Sequence, residues 1–358
     1  MFDCAEDVLC YHNDEVTLPQ KDRSAMSKRR NANRDRLTAG LKDEEQPQPF
    51  MFCKQGSYAM LTMVQHPNDD YDIDDGVYFN QEELVGPRGG EMSSLDARKM
   101  VRDAVDDGSF RDAPEVLNNC VRIYYVAGYH VDMPVYRRRV EQDFWGKETE
   151  VFEIASSEWK RSDARLVTDW FHEENAKQSP DTDNGRQLRR ITRFVKDFAQ
   201  GRASWKGQIA SGFVITKLVT ECFKASDSRE DTALRETMRS IRDRLNSNLV
   251  VNHPTTPGET ISNGTADPKL RFLREKLDQA LADLEVLDAT DCTRVKAAKA
   301  WDKVFATDYF SLRAENDKAT KNDARSDDRP ILTAGMIGSL ARKTEQAPVR
   351  KEGGGRFA

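Results

Sequence analysis

Cysteine and histidine are scarce in this 358-residue chain, and long apolar runs are missing altogether. Its six cysteines (Cys4, Cys10, Cys53, Cys120, Cys222, Cys292) are scattered, and none falls in a CxxC pair. That spacing speaks against a zinc site or a disulfide framework and reads as reduced cytosolic thiols. No run of eighteen apolar residues occurs, so no membrane-spanning helix is expected. The opening "MFDCAEDVLC" has neither a basic leader nor a long apolar core, so no secretory signal is expected and the location reads as cytoplasmic. Without secretion, the "NGT" at Asn263 carries little meaning as a glycosylation acceptor. Surplus positive charge is lacking too. Lys and Arg number 55 against 61 Asp and Glu, a formal net charge of -6. That argues against a general nucleic-acid coat and permits a local basic groove.

What remains is a soluble, polar-surfaced globular chain, 38% hydrophobic and 32% charged. Its length suits two lobes or one large domain. Residues 21–42 read as a long helix in which eight Lys/Arg stand against two Asp. A solvated face is the simpler reading of that charge, and a basic rim beside an anionic ligand is the other. "PFMFCKQ" (49–55), "YDIDDGVYF" (71–79), "VRIYYV" (121–126), "YHVDMPVYRR" (129–138) and "EVFEIA" (150–155) read as strands. "SSLDARKMVRDAVDD" (93–107) reads as a capped helix. Beyond residue 160 the texture turns helical, with candidates at 162–177, 185–200, 207–225, 229–246, 266–288 and 292–306. "NDKATKNDARSDDRP" (316–330) reads as a charged loop, and the end of the sequence as a flexible tail. The plan is α+β: a sheet lobe over 1–160, a helical lobe over 161–340, a tail over 341–358, and a cleft between the lobes.

The sharpest feature is the acidic cluster Asp70, Asp72, Asp74 and Asp75. An EF-hand loop fails, because counting from Asp70 puts Asp75 at the sixth position and Gln81 at the twelfth. A solvated turn explains Asp69 and Asp70. It explains Asp72 and Asp74 poorly, because they alternate with Tyr71 and Ile73 and so share one strand face. Their side-chain roots lie roughly 6–7 Å apart, a spacing suited to a divalent cation that also binds phosphate oxygens. Asp132 stands alone in an apolar strand, either as a third metal-binding acid or as a strand-end or exposed-face residue. Upstream, Gly56 and Ser57 follow a strand, where a helix opening at Ser57 would offer free N–H groups to phosphate.

Strand, Gly-Ser, D-x-D strand and a third Asp on a later strand resemble the nucleotidyltransferase superfamily of DNA polymerase beta. "QGSY", "YDIDDGVYF", "YHVDMPVY", "LRRITRFVKDF" and "AWDKVFATDYF" resemble its cGAS/DncV-like branch, the cyclic oligonucleotide synthases of CBASS antiphage defence. The resemblance implies a polymerase-beta-like sheet lobe and a helical lobe with the active site in the cleft between them. It implies that Asp72, Asp74 and Asp132 bind two Mg²⁺ ions, or Mn²⁺. It implies that Gln55, Gly56 and Ser57 contact phosphate, and that Lys196 and Ser211 hold the donor triphosphate. Taken without the family, Lys196 reads as an exposed helix lysine and Ser211 as a small packing residue. Asp75 reads as a strand-end residue, not a ligand. The implied activity joins ATP and GTP, or other nucleoside triphosphates, into a cGAMP-like cyclic di- or trinucleotide second messenger. A downstream effector is reached through the product alone, with neither a membrane nor an obligate nucleic acid as partner. A linear oligonucleotide synthase or RNA nucleotide-adding enzyme is the alternative, disfavoured by the acidic net charge. An inactive nucleotide-binding protein is another, disfavoured by the presence of all three acids. The resemblance also implies an E1/E2-like ligase acting on a Gly-rich tail, with Ala358 as the conjugated residue.

Overall fold

The computed structural model describes residues 1–65, 71–86, 88–125, 128–142 and 144–323. Its sheet contains β1 (Met51–Gln55), β2 (Asp72–Asn80), β3 (Glu115–Val116), β4 (Val121–Tyr124), β5 (His130–Met133), β6 (Val135–Gln142), β7 (Glu148–Ala155) and β8 (Trp159–Arg161). β1 runs antiparallel along one edge of β2, while β5 and then β6 run parallel along its other edge. β5 and β6 form one line broken at Pro134, a residue without an N–H to donate, whose carbonyl instead accepts from Val77. β4 and β7 continue the sheet outward.

The helices are α1 (Ala5–Tyr11), α2 (Gln20–Asp43), α3 (Gly56–Ala59), α4 (Ser94–Val105), α5 (Ala164–Gln178), α6 (Gln187–Gln200), α7 (Gly212–Cys222), α8 (Glu230–Ser247), α9 (Pro268–Asp283), α10 (Arg294–Phe305) and α11 (Tyr309–Asp323). Among the described residues none is long and apolar enough to cross a membrane.

Period-2 alternation in β2 decides what each sheet face does. Ile73, Val77 and Phe79 point to one side and pack with Leu37 and Leu41 of α2 and Ala97 and Val101 of α4. Gly40 lets α2 and α4 touch, since a Cβ there would collide with the Ala104 carbonyl. Asp75 shares this buried face and lies in mid-strand, which corrects the strand-end reading. Its carboxylate is gripped by Arg34 of α2, with Arg34 Nε donating at 2.6 Å. The basic charge of α2 is therefore not merely solvated. Arg34 holds a buried acid, and Arg29 lies over the Tyr129 ring at 4.0 Å.

A second core is mainly helical and draws chiefly on α6 to α10. The N-terminal segment also belongs to it: Val8, Tyr11 and Val16 are buried there, so the first sixteen residues pack with the helical lobe rather than the sheet lobe. A further departure is α11, which extends through Asp323 into the stretch expected to be a charged loop. Phe310 and Ala314 on its inner side are buried. The molecule is thus α+β, a mixed sheet lobe joined to a helical lobe.

Candidate active site

The second face of β2 carries Asp72, Asp74, Gly76 and Tyr78, and the register of the sheet sets their neighbours. Gln55 of β1 stands opposite Asp74, Asp74 opposite Asp132 of β5, and Asp132 opposite Arg122 of β4. Four strands therefore contribute one row of polar side chains. One pleat along, Asp72 stands opposite His130. The Asp72 side chain is 45% exposed, and its Oδ1 lies 2.5 Å from His130 Nε2.

Asp74 is a perturbed acid. Burial, then the charges of Asp132 and Asp72, push its carboxyl well above the ordinary range, against the pull of Arg122. The backbone comes close here. Gly56 has φ of +60°, and a Cβ on it would strike Asp74 Oδ2. Glycine is required at that position both for its conformation and for the space. The helix that follows, α3, opens at Gly56 rather than Ser57 and spans four residues.

Asp132 is 2% exposed and is not unpaired. Arg122 Nε and Nη2 each donate to one of its oxygens at 2.7 Å, a two-pronged charge-assisted bond. Among the described residues no three acidic, histidine or cysteine side chains are arranged to enclose a metal ion. Asp132 stands opposite Asp74 across the sheet, but both of its oxygens accept from Arg122. Asp72 and Asp74 fit a divalent cation well, as crowded carboxylates that repel each other in its absence.

The Gln55 side chain lies beneath the row. Its Nε2 donates to the Tyr78 hydroxyl at 2.9 Å, and its Oε1 accepts from the Tyr136 hydroxyl at 3.1 Å. Those two rings stack with centroids 4.5 Å apart. With its amide engaged at both ends, Gln55 supports the floor of the site, and its side chain is not free for a phosphate.

Lys196, on α6, is 4% exposed rather than a surface lysine. Its Nζ donates to Thr62 Oγ1 at 2.8 Å. Burial and then the like charge of Arg193 bring its ammonium down to about 7, while the Asp74 carboxylate pulls the other way. Gly212, the first residue of α7, passes close enough that a Cβ there would lie 3.6 Å from Lys196 Cε. Ser211 is exposed and caps α7, its hydroxyl accepting from the Val214 N–H at 3.4 Å. The structure therefore brings Lys196 beside the N-terminus of α7 and within electrostatic reach of Asp74. Ala358 lies outside the described residues.

Sequence reasoning missed Arg122, His130 and Thr62. For Arg122 a signal existed: a lone charge in the apolar "VRIYYV", ten residues before the equally lone Asp132, is the pattern of a cross-strand pair.

A mixed sheet that presents acids from two parallel strands beneath a helical lobe is the architecture of polymerase-beta-like nucleotidyltransferases. Comparison with known proteins gives the branch: residues 50–136 match the family model described as "Cyclic GMP-AMP synthase DncV-like, nucleotidyltransferase domain". The chain carries a DncV-like nucleotidyltransferase domain. A cyclic GMP-AMP synthase of Escherichia albertii is 27% identical over 242 residues, 64% of this chain and 49% of that protein. The chain thus spans about half the length of that curated relative. Escherichia coli DncV bound to 3'-deoxy GTP superposes with a TM-score of 0.63 at 16% identity, covering 83% of this chain and 93% of that one. A mutant Vibrio cholerae dinucleotide cyclase with ATP, GTP and 5MTHFGLU2 gives 0.65 at 15% identity, covering 85% and 96%. E. coli CdnC with ATP gives 0.62 at 15% identity, covering 85% and 98%.

Proposed function

We propose that this chain is a metal-dependent nucleotidyltransferase that joins nucleoside triphosphates, ATP and GTP among them, into a cyclic di- or trinucleotide with release of pyrophosphate. The product is purine-containing and cGAMP-like, and acts as a second messenger in antiphage signalling through an effector that reads it. The observation that carries the reading is the row of Asp74, Asp132 and Arg122 with Asp72 one pleat along, set against a buried lysine that feels the Asp74 charge.

Asp72 and Asp74 would hold Mg²⁺ or Mn²⁺, with Asp132 joining when Arg122 yields. Cations bound there would neutralise phosphate oxygens and make the acceptor ribose hydroxyl more acidic. The chain's own residues do the positioning. Gly56 keeps the backbone low beside Asp74, so that a phosphate group can approach the carboxylates. Lys196 holds a triphosphate by charge from a dry site, where that attraction is weakly screened. Ser211 and the first N–H groups of α7 add donors on the same side. Gln55, locked between two tyrosine hydroxyls, keeps the floor of the site rigid.

The test is incubation with all four labelled triphosphates and Mg²⁺ or Mn²⁺, with the product identified by mass and nuclease sensitivity. A cyclic product resistant to exonuclease and phosphatase supports the reading, whereas a linear ladder points to an oligonucleotide synthase. One observation favours a second reading: Arg122 already neutralises Asp132, as a nucleotide-binding protein without catalysis would allow. Nucleotide binding with no transfer under any metal would establish that alternative.

A further inference from the structure

Beside the loop that joins α3 to β2 lies a cavity of about 480 Å³, formed between the start of α2 and the first half of α6. None of its lining residues belongs to the row of acids or to the Lys196 and Ser211 group. Three arginines line it: Arg23 from α2, and Arg189 and Arg193 from α6. Arg189 is 9% exposed, and its Nε is buried with no hydrogen-bond partner among the described residues. Its Nη2 contacts His172 Nδ1 at 3.1 Å. Arg193 donates from Nε and Nη2 to the Leu61 carbonyl at 2.9 and 2.7 Å, a neutral acceptor that leaves its charge uncompensated.

The Arg23 charge burdens both of the other guanidinium groups, and Arg189 burdens Arg193. Burial and then the charges of Arg23, Arg189 and Arg190 bring Arg193 down to about 9. Arg189 is lowered by burial and then by Arg186 and Arg23. The acid among the lining residues is Asp14, which accepts from the Tyr309 hydroxyl at 2.6 Å. Like charges gathered in a semi-enclosed space are costly, and that cost is relieved when an anion enters.

We propose that this cavity is a binding site for a small phosphate-bearing anion, held by Arg23, Arg189 and Arg193, separate from the catalytic row. Guanidinium forks suit phosphate oxygens through paired N–H donors, and the space accommodates an oligophosphate. The site is wired to the chemistry by one short segment. Arg193 holds the Leu61 carbonyl, and one turn later Lys196 holds Thr62, so an anion that draws Arg193 toward itself shifts the ledge on which Lys196 rests. This consequence for turnover rests on the role given to Lys196 above; the binding itself does not.

The probe is inorganic tripolyphosphate, titrated calorimetrically into the full chain in EDTA. Binding is expected in the wild type, at least roughly tenfold weaker in Arg23→Ala, and partly recovered in Arg23→Lys. Any second event at the catalytic row is expected to vanish in Lys196→Ala, whereas the event that Arg23→Ala weakens is expected to stay within about threefold there and to be unchanged in Asp72→Asn/Asp74→Asn. Arg23 is only half-buried, so its substitution leaves the fold standing, and a matching thermal midpoint verifies this. Amide hydrogen exchange across residues 60–65 should slow on binding in the wild type and not in Arg23→Ala. Wild-type affinity in Arg23→Ala, loss of binding in Lys196→Ala alone, or no binding to the wild type would overturn the proposal. Because neither readout uses catalysis, a chain that binds the probe but makes no cyclic product would defeat the proposed function and leave this site intact.

Discussion

Asp132 carries a structural role whatever its place in the proposed chemistry. Its carboxylate and the Arg122 guanidinium are both buried, 4% and 6% exposed at the side chain. Removing one partner of such a pair strands the other and costs on the order of 3–5 kcal/mol. Asp132→Ala is therefore expected to lower stability by that order as well as to stop nucleotide transfer. Adding Arg122→Met should recover most of the stability and none of the transfer. Chemical denaturation of the two variants separates the effects, and a fully stable Asp132→Ala would mean that Arg122 finds another partner. Asp74 behaves in the opposite way. Its raised pKa means that the folded chain holds that proton more tightly than the unfolded chain. Stability thus falls as pH rises from the ordinary carboxylate range through the folded-state value. In EDTA at pH 8, Asp74→Asn should melt higher than the wild type, by roughly 2 °C for each kcal/mol of repulsion relieved. The gap should close toward pH 4, where the wild-type carboxyl is protonated as well. A midpoint below the wild type at pH 8 would show that Asp74 gains more from its neighbours than it loses.

At the scale of the element, period and spacing made much of the site readable. Asp72 and Asp74 had to share a face once 71–79 was read as a strand, and Asp75 had to lie on the other. What the strand pattern could not provide was the partner: Arg34 reaches Asp75 across a helix–sheet interface, and Arg122 reaches Asp132 through a register fixed only by folding. α11 escaped for a different reason, since its charged composition resembles a loop and only Phe310 and Ala314 reveal a buried side. In α6, Arg189, Arg193 and Lys196 follow helical spacing, yet nothing in "LRRITRFVKDF" announces that they are buried. That burial has a measurable consequence. With an ammonium near 7, Lys196 is largely neutral at pH 8 in the free protein. A triphosphate placed beside it favours the charged form and raises that value, so binding should take up close to one proton at pH 8. Calorimetry of nucleotide binding in two buffers of different ionisation enthalpy measures this uptake. Lys196→Met should abolish it, and a wild-type enthalpy that does not depend on buffer would place Lys196 away from the phosphates.

Across the whole molecule, the N-terminal segment ties the two cores together. α1 is packed in the helical core and α2 against the sheet, with only residues 12–19 between them. The tie is anchored by chemistry as well as packing. The Cys4 N–H donates to the buried carboxylate of Asp231 at 2.9 Å, and the Tyr11 hydroxyl donates to Asp197 at 2.8 Å. The Tyr11 ring sits 4.8 Å from Phe305 and 4.9 Å from Phe310, joining α1 to α10 and α11. Asp197 follows Lys196 directly on α6, so the same contact steadies the helix that carries the proposed triphosphate lysine. Two substitutions divide the roles of this tyrosine. Tyr11→Phe keeps the ring and loses one hydrogen bond to a carboxylate, at a cost of about 1.5–3 kcal/mol. Tyr11→Ala removes the ring as well and opens a cavity among aromatic side chains, at a cost of about 3–5 kcal/mol. Denaturant midpoints should fall in that order, and Tyr11→Ala should also raise the KM for nucleotide, since α6 loses its lateral support. If Tyr11→Ala unfolds within 1 kcal/mol of the wild type, the first sixteen residues lie on the helical lobe without holding it, and the coupling of the two cores must run through other contacts, the Leu61 and Thr62 ledge among them.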